Sequence, residues 1–270
     1  MARRTFDPEQ ASFTLVMGTL TAAAITLLLA PTLVVVIVSF TDSFSLRFPP
    51  PGYSFKWYVA LLDAWQLHFA AWNSFVVALW TTVTSVVLGV AASLAIARSP
   101  TLTARILDSL FMSPLVLPAL AFGLAALMLF SLVGLPISPL TLIIGHTVVC
   151  VPYVVRTTVA ALAQLDTVLL ESSASLGASR LYTFQRITLP LIRPGIIAGA
   201  FLAFMASFDN VPVSLFLRDA RTDMLPIRMW QDLEGKLDVT IAAVSGVMIL
   251  LTILALAAME RLAGLSRRLR

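Results

Sequence analysis

The chain has 270 residues, enough for one or two soluble domains, but 59% of them are hydrophobic and only 12% are charged. Ordinary globular domains are about 45–50% hydrophobic and about 25% charged, so a soluble fold and intrinsic disorder are both excluded. The single cysteine, Cys150, excludes a disulfide framework and a cysteine-rich zinc site. With a mean hydropathy of +0.94, the sequence predicts a multi-spanning membrane protein.

Long stretches without Asp, Glu, Lys or Arg mark the predicted spans, and they cover residues 10–41, 64–97, 109–155 and 239–259. A helix needs about 20 apolar residues to cross the hydrocarbon core. The third stretch is long enough for two helices, separated by the turn-rich residues 134–139, and a further span fits 194–217. We therefore predict an all-α integral membrane protein with six transmembrane helices, at roughly 13–40, 70–97, 109–133, 140–161, 194–217 and 239–261.

The first apolar run could instead be a secretory signal peptide, because Arg3 and Arg4 precede it. The apolar core of a signal peptide has about 7–15 residues, less than half the length of this run. Asp7 and Glu9 also separate the two arginines from the run. The pattern favours a retained helix.

The distribution of arginine and lysine predicts the orientation, because cytoplasmic loops carry an excess of both residues. If both termini lie on one side, that side holds most of the 18 basic residues: Arg3, Arg4, Arg98, Arg105, Arg156, Arg180, Arg186, Arg193, Arg261, Arg267, Arg268 and Arg270. We therefore predict a multi-pass protein of the bacterial cytoplasmic membrane with both termini in the cytoplasm. The excess cations flank the spans and can contact anionic lipid, so the basic character requires no nucleic acid.

A long internal loop at 162–193 carries the most information. Leu162, Leu165, Leu169 and Leu176 fall on one helical face. Gly177 is expected to end this helix in the left-handed conformation. Ser179 can cap a second short helix at 180–186, and Leu189-Pro190 and Pro194 are expected to break the chain before the fifth span. The pattern predicts an amphipathic helix-turn-helix beneath the membrane.

Two interpretations of this loop are open. An interfacial helix lying on lipid headgroups would carry Lys and Arg on its polar face. Here the polar face offers Asp166, Glu171 and a row of serines. Carboxylates suit a protein partner with basic groups better than an anionic leaflet, so the composition favours a partner protein.

The segment 171–190 reads E-S-S-x3-G-x9-I-x-L-P. It resembles the EAA loop of the permease subunits of binding-protein-dependent ABC importers, whose pattern is E-A-A-x3-G-x9-I-x-L-P. The Glu, Gly, Ile, Leu and Pro positions agree in register, while serines replace the two alanines. The resemblance covers roughly residues 70–258 and implies the type I ABC importer permease architecture. It divides the chain into an N-terminal helix with an external loop (1–69), the permease core (70–258) and a basic cytoplasmic tail (259–270).

In that family the loop forms coupling helices that dock on a cytoplasmic ATPase subunit. The resemblance therefore implies ATPase-coupling roles for Leu169, Glu171, Ser172, Ser173, Leu176, Gly177, Ile187, Leu189 and Pro190. The chain has no G-x-x-x-x-G-K-[ST] loop, so ATP and magnesium would be bound by the partner and no cofactor by this chain. The implied partners are an ABC ATPase dimer, a second permease subunit expected to be a different chain, and a periplasmic or lipid-anchored solute-binding protein.

A finer resemblance is to the shorter, six-span permease subunit of the spermidine/putrescine branch. It is carried by S-P-L-V-L-P at 113–118, S-F-D-N-V-P-V-S at 207–214 and L-P-I-R at 225–228. That branch commonly has an acid after the second proline of the first motif and a second acid beside Asp209, where this chain has Ala119 and Asn210. The resemblance implies that a polyamine or a similar organic cation is the solute.

The tentative translocation path comprises Pro114, Pro118, Asp209 and Asn210. Asp209 is the only charge clearly inside a predicted span, and a charge at mid-bilayer costs about 2.5–3.5 kcal/mol on insertion scales. It could contact a cation or act as a gate, or it could form an ion pair or cap the helix break that Pro212 imposes. Pro114, Pro118 and Gly123 could kink the third span, or they could serve helix packing.

No catalytic constellation or metal site stands out. His146 and Cys150 lie four residues apart, but two ligands without others nearby do not form a zinc site, and packed core residues are the simpler interpretation. A self-contained secondary transporter or channel that uses Asp209 as a cation or proton site is the alternative function. An intramembrane enzyme would lack a nucleophile–base pair, so the chain is predicted to be a transporter subunit and not an enzyme.

Overall fold

The computed structural model describes residues 8–97, 101–219, 221–236 and 239–263, and within these ranges the regular secondary structure is helical apart from an isolated bridge between Thr41 and Tyr53. One π-helical turn, Phe184–Thr188, joins two of the helices. The α-helices are α1 (Pro8–Ser39), α2 (Lys56–Leu62), α3 (Trp65–Ala97), α4 (Leu102–Val116), α5 (Ala119–Leu132), α6 (Pro139–Ala163), α7 (Thr167–Ser175), α8 (Arg180–Thr183), α9 (Leu189–Phe208), α10 (Val211–Leu217), α11 (Leu225–Lys236) and α12 (Thr240–Ala263).

Five helical segments in the described ranges are long and apolar enough to cross a membrane: Ser12–Ser39, Trp65–Ala97, Pro139–Ala163, Arg180–Phe208 and Thr240–Ala263. A bent pair, α4 and α5, makes a sixth if the two count as one span. The predicted all-α membrane fold is confirmed, and so are the approximate positions of the spans.

The predicted third span, 109–133, is a bent pair of helices that begins earlier, at Leu102, and ends at Leu132. Helix α4 ends at Val116, α5 begins at Ala119, and the two are bent by 105°. The cause is Pro118, which has no N–H to donate and disfavours helical backbone in the residue before it. Leu117 accordingly adopts an extended conformation with φ −73° and ψ 141°. Pro114 lies inside α4 and does not interrupt it.

The predicted fifth span, 194–217, differs at both ends. The helical path begins earlier, at Arg180, and continues through the π-helical turn into α9. The expected breaks at Pro190 and Pro194 are therefore wrong. The Leu189 N–H donates to the Phe184 carbonyl in the wider π pattern, immediately before Pro190, which has no N–H. At the C-terminal end, the path stops at Phe208 and restarts as α10 at Val211.

The chain divides into two compact units. In the larger unit, residues 64–231 and 251–263 of the described chain, α3, α6 and α9 pack on one another. Gly195 and Gly199 lie one turn apart on α9, and a Cβ atom at Gly195 would lie 2.7 Å from the Thr157 carbonyl oxygen. Small residues at this spacing allow the α6 and α9 backbones to approach closely, as is common between membrane helices.

The smaller unit comprises residues 8–63 and 232–250 of the described chain. The Ser39 and Tyr58 hydroxyls are hydrogen-bonded at 2.7 Å. Residues 264–270 of the predicted basic tail lie outside the described residues. So do six of the arginines on which the predicted orientation rests: Arg3, Arg4, Arg98, Arg267, Arg268 and Arg270.

Candidate functional site

The EAA-like segment, defined here as residues 162–193, begins with a turn between α6 and α7. The Leu165 N–H donates to the Leu162 carbonyl, and Asp166 caps α7 by accepting the Val168 N–H at 2.9 Å. The prediction of one continuous apolar helical face from Leu162 to Leu176 is therefore wrong, because the turn between α6 and α7 interrupts the helix. The capping role of Asp166 was missed, although Asp is among the most favoured N-cap residues.

Helix α7 ends as the sequence predicts, at a glycine in the left-handed conformation. Gly177 has φ +77°, its N–H donates to the Ala174 carbonyl at 2.9 Å, and the Ala178 N–H donates to the Ser173 carbonyl at 3.1 Å. These two bonds form a Schellman motif, which satisfies carbonyls at the helix end. The turn is thus held by hydrogen bonds on a backbone that glycine adopts without a steric penalty.

One further contact caps α8, and another joins α7 to α8. Ser179 caps α8 by accepting the Tyr182 N–H at 3.2 Å, as the sequence predicts. The Ser173 and Thr183 hydroxyls are hydrogen-bonded at 2.8 Å, and Ser173 is only 6% exposed. Ser173, which the resemblance implied as a coupling residue, therefore lies inside the helix-turn-helix and not on its surface.

The surface of the segment is apolar at the turn and acidic beside it. Leu176 is 88% exposed at the tip, and Leu169 is 44% exposed on α7. Glu171 and Ser172 are exposed, and the ion pair found in the described chain lies elsewhere, between Arg218 and Asp223. A groove of about 680 Å³ follows this surface, lined by Leu169, Ser172, Leu176, Tyr182 and Ile187 among others. Leu189 and Pro190 lie just beyond, at the exposed start of α9.

In the membrane region, the α9–α10 break contains Asp209 and Asn210. The Asn210 side chain caps α10 by accepting the Val213 N–H at 2.9 Å, and Pro212 occupies the first turn of α10, where its missing N–H is tolerated. The break is thus capped by Asn210 and not by Asp209. The Asp209 side chain is exposed, so the structure leaves it available to a ligand or a neighbouring subunit.

His146 is fully buried and joins three helices. Its Nδ1 lies 2.8 Å from the Ser207 Oγ at the end of α9, and its Nε2 lies 3.0 Å from the Ser214 Oγ on α10. This imidazole therefore connects α6 to both sides of the α9–α10 break. The packed-core interpretation of His146 agrees with this arrangement, and the sequence did not reveal the serine partners.

Gly123 serves close packing. A Cβ atom there would lie 2.8 Å from the Phe216 side chain and 2.9 Å from the Pro212 carbonyl oxygen, so its absence lets α5 approach α10. Pro118 makes the bend between α4 and α5 described above. The packing interpretation therefore holds for Gly123, and the kink interpretation holds for Pro118.

The residues that join α10 to α11 are tied to α3. The Asn73 amide donates to the Asp223 carbonyl at 3.1 Å, and the Ser74 hydroxyl accepts the Leu225 N–H at 2.9 Å. The Thr222 hydroxyl donates to the Asp219 carboxylate at 2.6 Å. That hydrogen bond, together with backbone N–H donors, lowers the pKa of Asp219 below its usual range.

The chain belongs to the family of binding-protein-dependent transport system inner membrane components, whose pattern matches residues 85–268. It is therefore an ABC importer permease, a multi-pass inner-membrane transporter subunit. Among its relatives is the spermidine/putrescine transport system permease protein PotC of Haemophilus influenzae, 28% identical over 83% of this chain and 86% of that protein. The putrescine transport system permease protein PotI of Escherichia coli K12 is 31% identical over 77% of this chain and 76% of that protein.

Solved structures agree on the fold. A bacterial ABC transporter that imports the acidic polysaccharide alginate superposes with a TM-score of 0.75 at 14% identity, over 95% of this chain and 98% of the other. The MetNI methionine ABC transporter superposes with a TM-score of 0.61 at 19% identity, over 74% and 96%. The architecture is that of a type I ABC importer permease.

Proposed function

We propose that this permease imports a polyamine or a similar organic cation, driven by ATP hydrolysis on a partner ATPase dimer. The partners are that dimer, a second permease subunit that is a different chain, and an external solute-binding protein. The EAA-like segment carries the proposal, because Leu176 is 88% exposed at the tip of a capped helix-turn-helix. An apolar side chain on a rigid, acid-flanked turn suits insertion into a cleft of another protein.

The hydrogen bonds within the EAA-like segment make it rigid, so it would transmit a displacement instead of deforming. Asp166 and Ser179 cap the two short helices, the Schellman motif closes the turn, and the Ser173–Thr183 bond joins the two arms. From Arg180 the helical path runs without a break to Phe208, over 29 residues, or about 40 Å at about 1.5 Å per residue. A displacement of the segment would therefore reach the α9–α10 break directly.

In this mechanism the partner ATPase binds ATP and magnesium, and this chain contributes no nucleotide site. Closure of the ATPase dimer would draw the EAA-like segments of the two permeases together and favour an outward-open pathway. Hydrolysis would restore the inward-open state. The energy of nucleotide binding thus biases an equilibrium between two states of the helix bundle.

The relatives support the choice of an organic cation, since PotC and PotI are named as spermidine/putrescine and putrescine permeases. Asp209, exposed at the α9–α10 break, is the side chain that suits a cation in the membrane region. Pro118 and Asn210 would shape the path by breaking the third and fifth spans. The orientation that fits this function places both termini and the EAA-like segment in the cytoplasm.

Site-directed crosslinking tests the proposal. Cys150 is buried, so after its replacement by Ala a single cysteine can be placed by Leu176→Cys. The control is Leu135→Cys, which is 47% exposed in the loop between α5 and α6. A reagent with one thiol-reactive end and one photoactivated end, attached in membranes that contain the whole transporter, should join Leu176→Cys, but not Leu135→Cys, to the ATPase on illumination. Crosslinks from position 176 to lipid alone would overturn the coupling role.

A further inference from the structure

Four aromatic side chains form a continuous row between α3 and α9. The ring centroids of Trp72 and Phe75 are 5.8 Å apart, those of Phe75 and Phe204 are 6.0 Å apart, and those of Phe204 and Phe208 are 5.9 Å apart. Trp72 and Phe75 are three positions apart on α3, and Phe204 and Phe208 are four positions apart on α9, so each pair lies on one helical face. These residues are called the aromatic row below.

The aromatic row lies at the edge of the α3–α9 interface and leaves its rings accessible. Ser74 and Ser207, each adjacent in sequence to a member of the row, are fully buried. By contrast, Trp72 is 63% exposed and Phe75 is 42% exposed, and the two Phe side chains on α9 are partly exposed. The faces of aromatic rings carry a negative quadrupole and attract cations within about 6 Å of the ring centroid.

Asp209 supplies the complementary charge. It follows Phe208 directly, so the two Cα atoms are about 3.8 Å apart. Its carboxylate is exposed and forms no ion pair within the described residues. Arg218, a basic residue shortly after it in the chain, is engaged with Asp223 at 2.9 Å. Arg221 is exposed and lies between α10 and α11, where its backbone carbonyl accepts a hydrogen bond from the Asn73 amide.

We propose that the aromatic row and Asp209 together form a binding site for an alkylammonium cation with a methylene chain. Asp209 would pair with one ammonium group, while the rings would contact a second ammonium group and the apolar chain between them. A site of this kind selects charge and chain together, because carboxylates attract ammonium groups and aromatic faces accept both cations and methylenes. The inference rests on the proposed function and names the side chains that would recognise the solute.

Equilibrium binding of radiolabelled spermidine to the purified permease–ATPase complex in nanodiscs, without the solute-binding protein, tests the site. Trp72→Leu and Phe208→Leu should each weaken binding by about 3- to 10-fold, the range expected for the loss of a partly desolvated cation–π contact. Phe208→Tyr retains a ring and should bind within about 2-fold of the wild type. Trp80→Leu is the matched control, because Trp80 is 55% exposed on the same helix and lies outside the aromatic row.

Competition adds a test of charge. Unlabelled putrescine should displace spermidine, whereas butane-1,4-diol, which has the same methylene chain without ammonium groups, should not. Co-purification of the ATPase with each leucine variant, in the same amount as with the wild type, establishes that the complex is intact. Wild-type affinity in both leucine variants, or equal competition by the diol, would overturn the inference.

Uptake by whole cells separates this inference from the proposed function. If cells with the complete transporter accumulate spermidine but the nanodisc complex does not bind it, the site is refuted and the proposed function stands. If neither spermidine nor putrescine is taken up, the proposed function fails and the site fails with it.

Discussion

Two glycines in this chain share the left-handed backbone but differ in where they lie. Gly177 has φ +77° in the turn of the EAA-like segment, and Gly134 has φ +72° in the loop between α5 and α6. A Cβ atom at either position would meet nothing within 4 Å. Substitution by alanine therefore costs backbone strain alone at both positions, about 1–2 kcal/mol each.

This pair allows strain to be separated from coupling. Gly177→Ala should sharply reduce solute uptake while the protein still inserts, because strain in the turn would displace Leu176 from its docking position. Gly134→Ala should leave uptake close to that of the wild type at a similar loss of stability. Uptake rates normalised to the amount of membrane-inserted permease provide the measurement. Equal effects of the two substitutions would show that Gly177 matters only for folding.

At the scale of elements, the break between α9 and α10 depends on its capping residue. The Asn210 side chain accepts the Val213 N–H at 2.9 Å, and His146 joins the serines on both sides of the break. These contacts satisfy polar groups that could not be left unpaired within a membrane. The break is consequently a defined feature of the bundle.

Asn210→Ala should lower the stability of the purified complex by about 1 kcal/mol, the usual effect of losing an N-cap. Asn210→Ser should recover most of that loss, since serine also caps helices well. The apparent melting temperature in detergent, followed by the fluorescence of the protein, measures both variants. If serine and alanine melt at the same temperature, the cap does not stabilise the break.

At the scale of the whole molecule, the proposed orientation is open to a direct test. The single-cysteine variants at 135 and 176 should differ in their reaction with a membrane-impermeant thiol reagent. Intact spheroplasts should be labelled at Leu135→Cys, and Leu176→Cys should react only after the membrane is made permeable. Labelling of position 176 from outside would place the EAA-like segment, and with it both termini, on the wrong side for an ATPase.

Much of the EAA-like segment could be predicted without a structure because its signals are local. The left-handed conformation of Gly177 and the cap at Ser179 each depend on a few consecutive residues. Ser173 is the exception, since its burial depends on α8 folding back to bring Thr183 within 2.8 Å. A sequence motif identifies the position of a residue but not the direction in which the side chain of that residue points.

The sequence by itself determined the membrane class, the helical fold and the approximate spans, because every backbone polar group in a bilayer must bond within its own helix and apolar length alone identifies such segments. Only the tertiary structure decided that Pro118 and not Pro114 breaks the third span, which serines meet His146, and that Phe75 of α3 adjoins Phe204 of α9. These features arise from contacts between residues more than 60 positions apart or from proline backbone geometry in a packed bundle. A hydropathy profile averages over a window of residues, so it detects neither the long-range contacts nor the proline geometry.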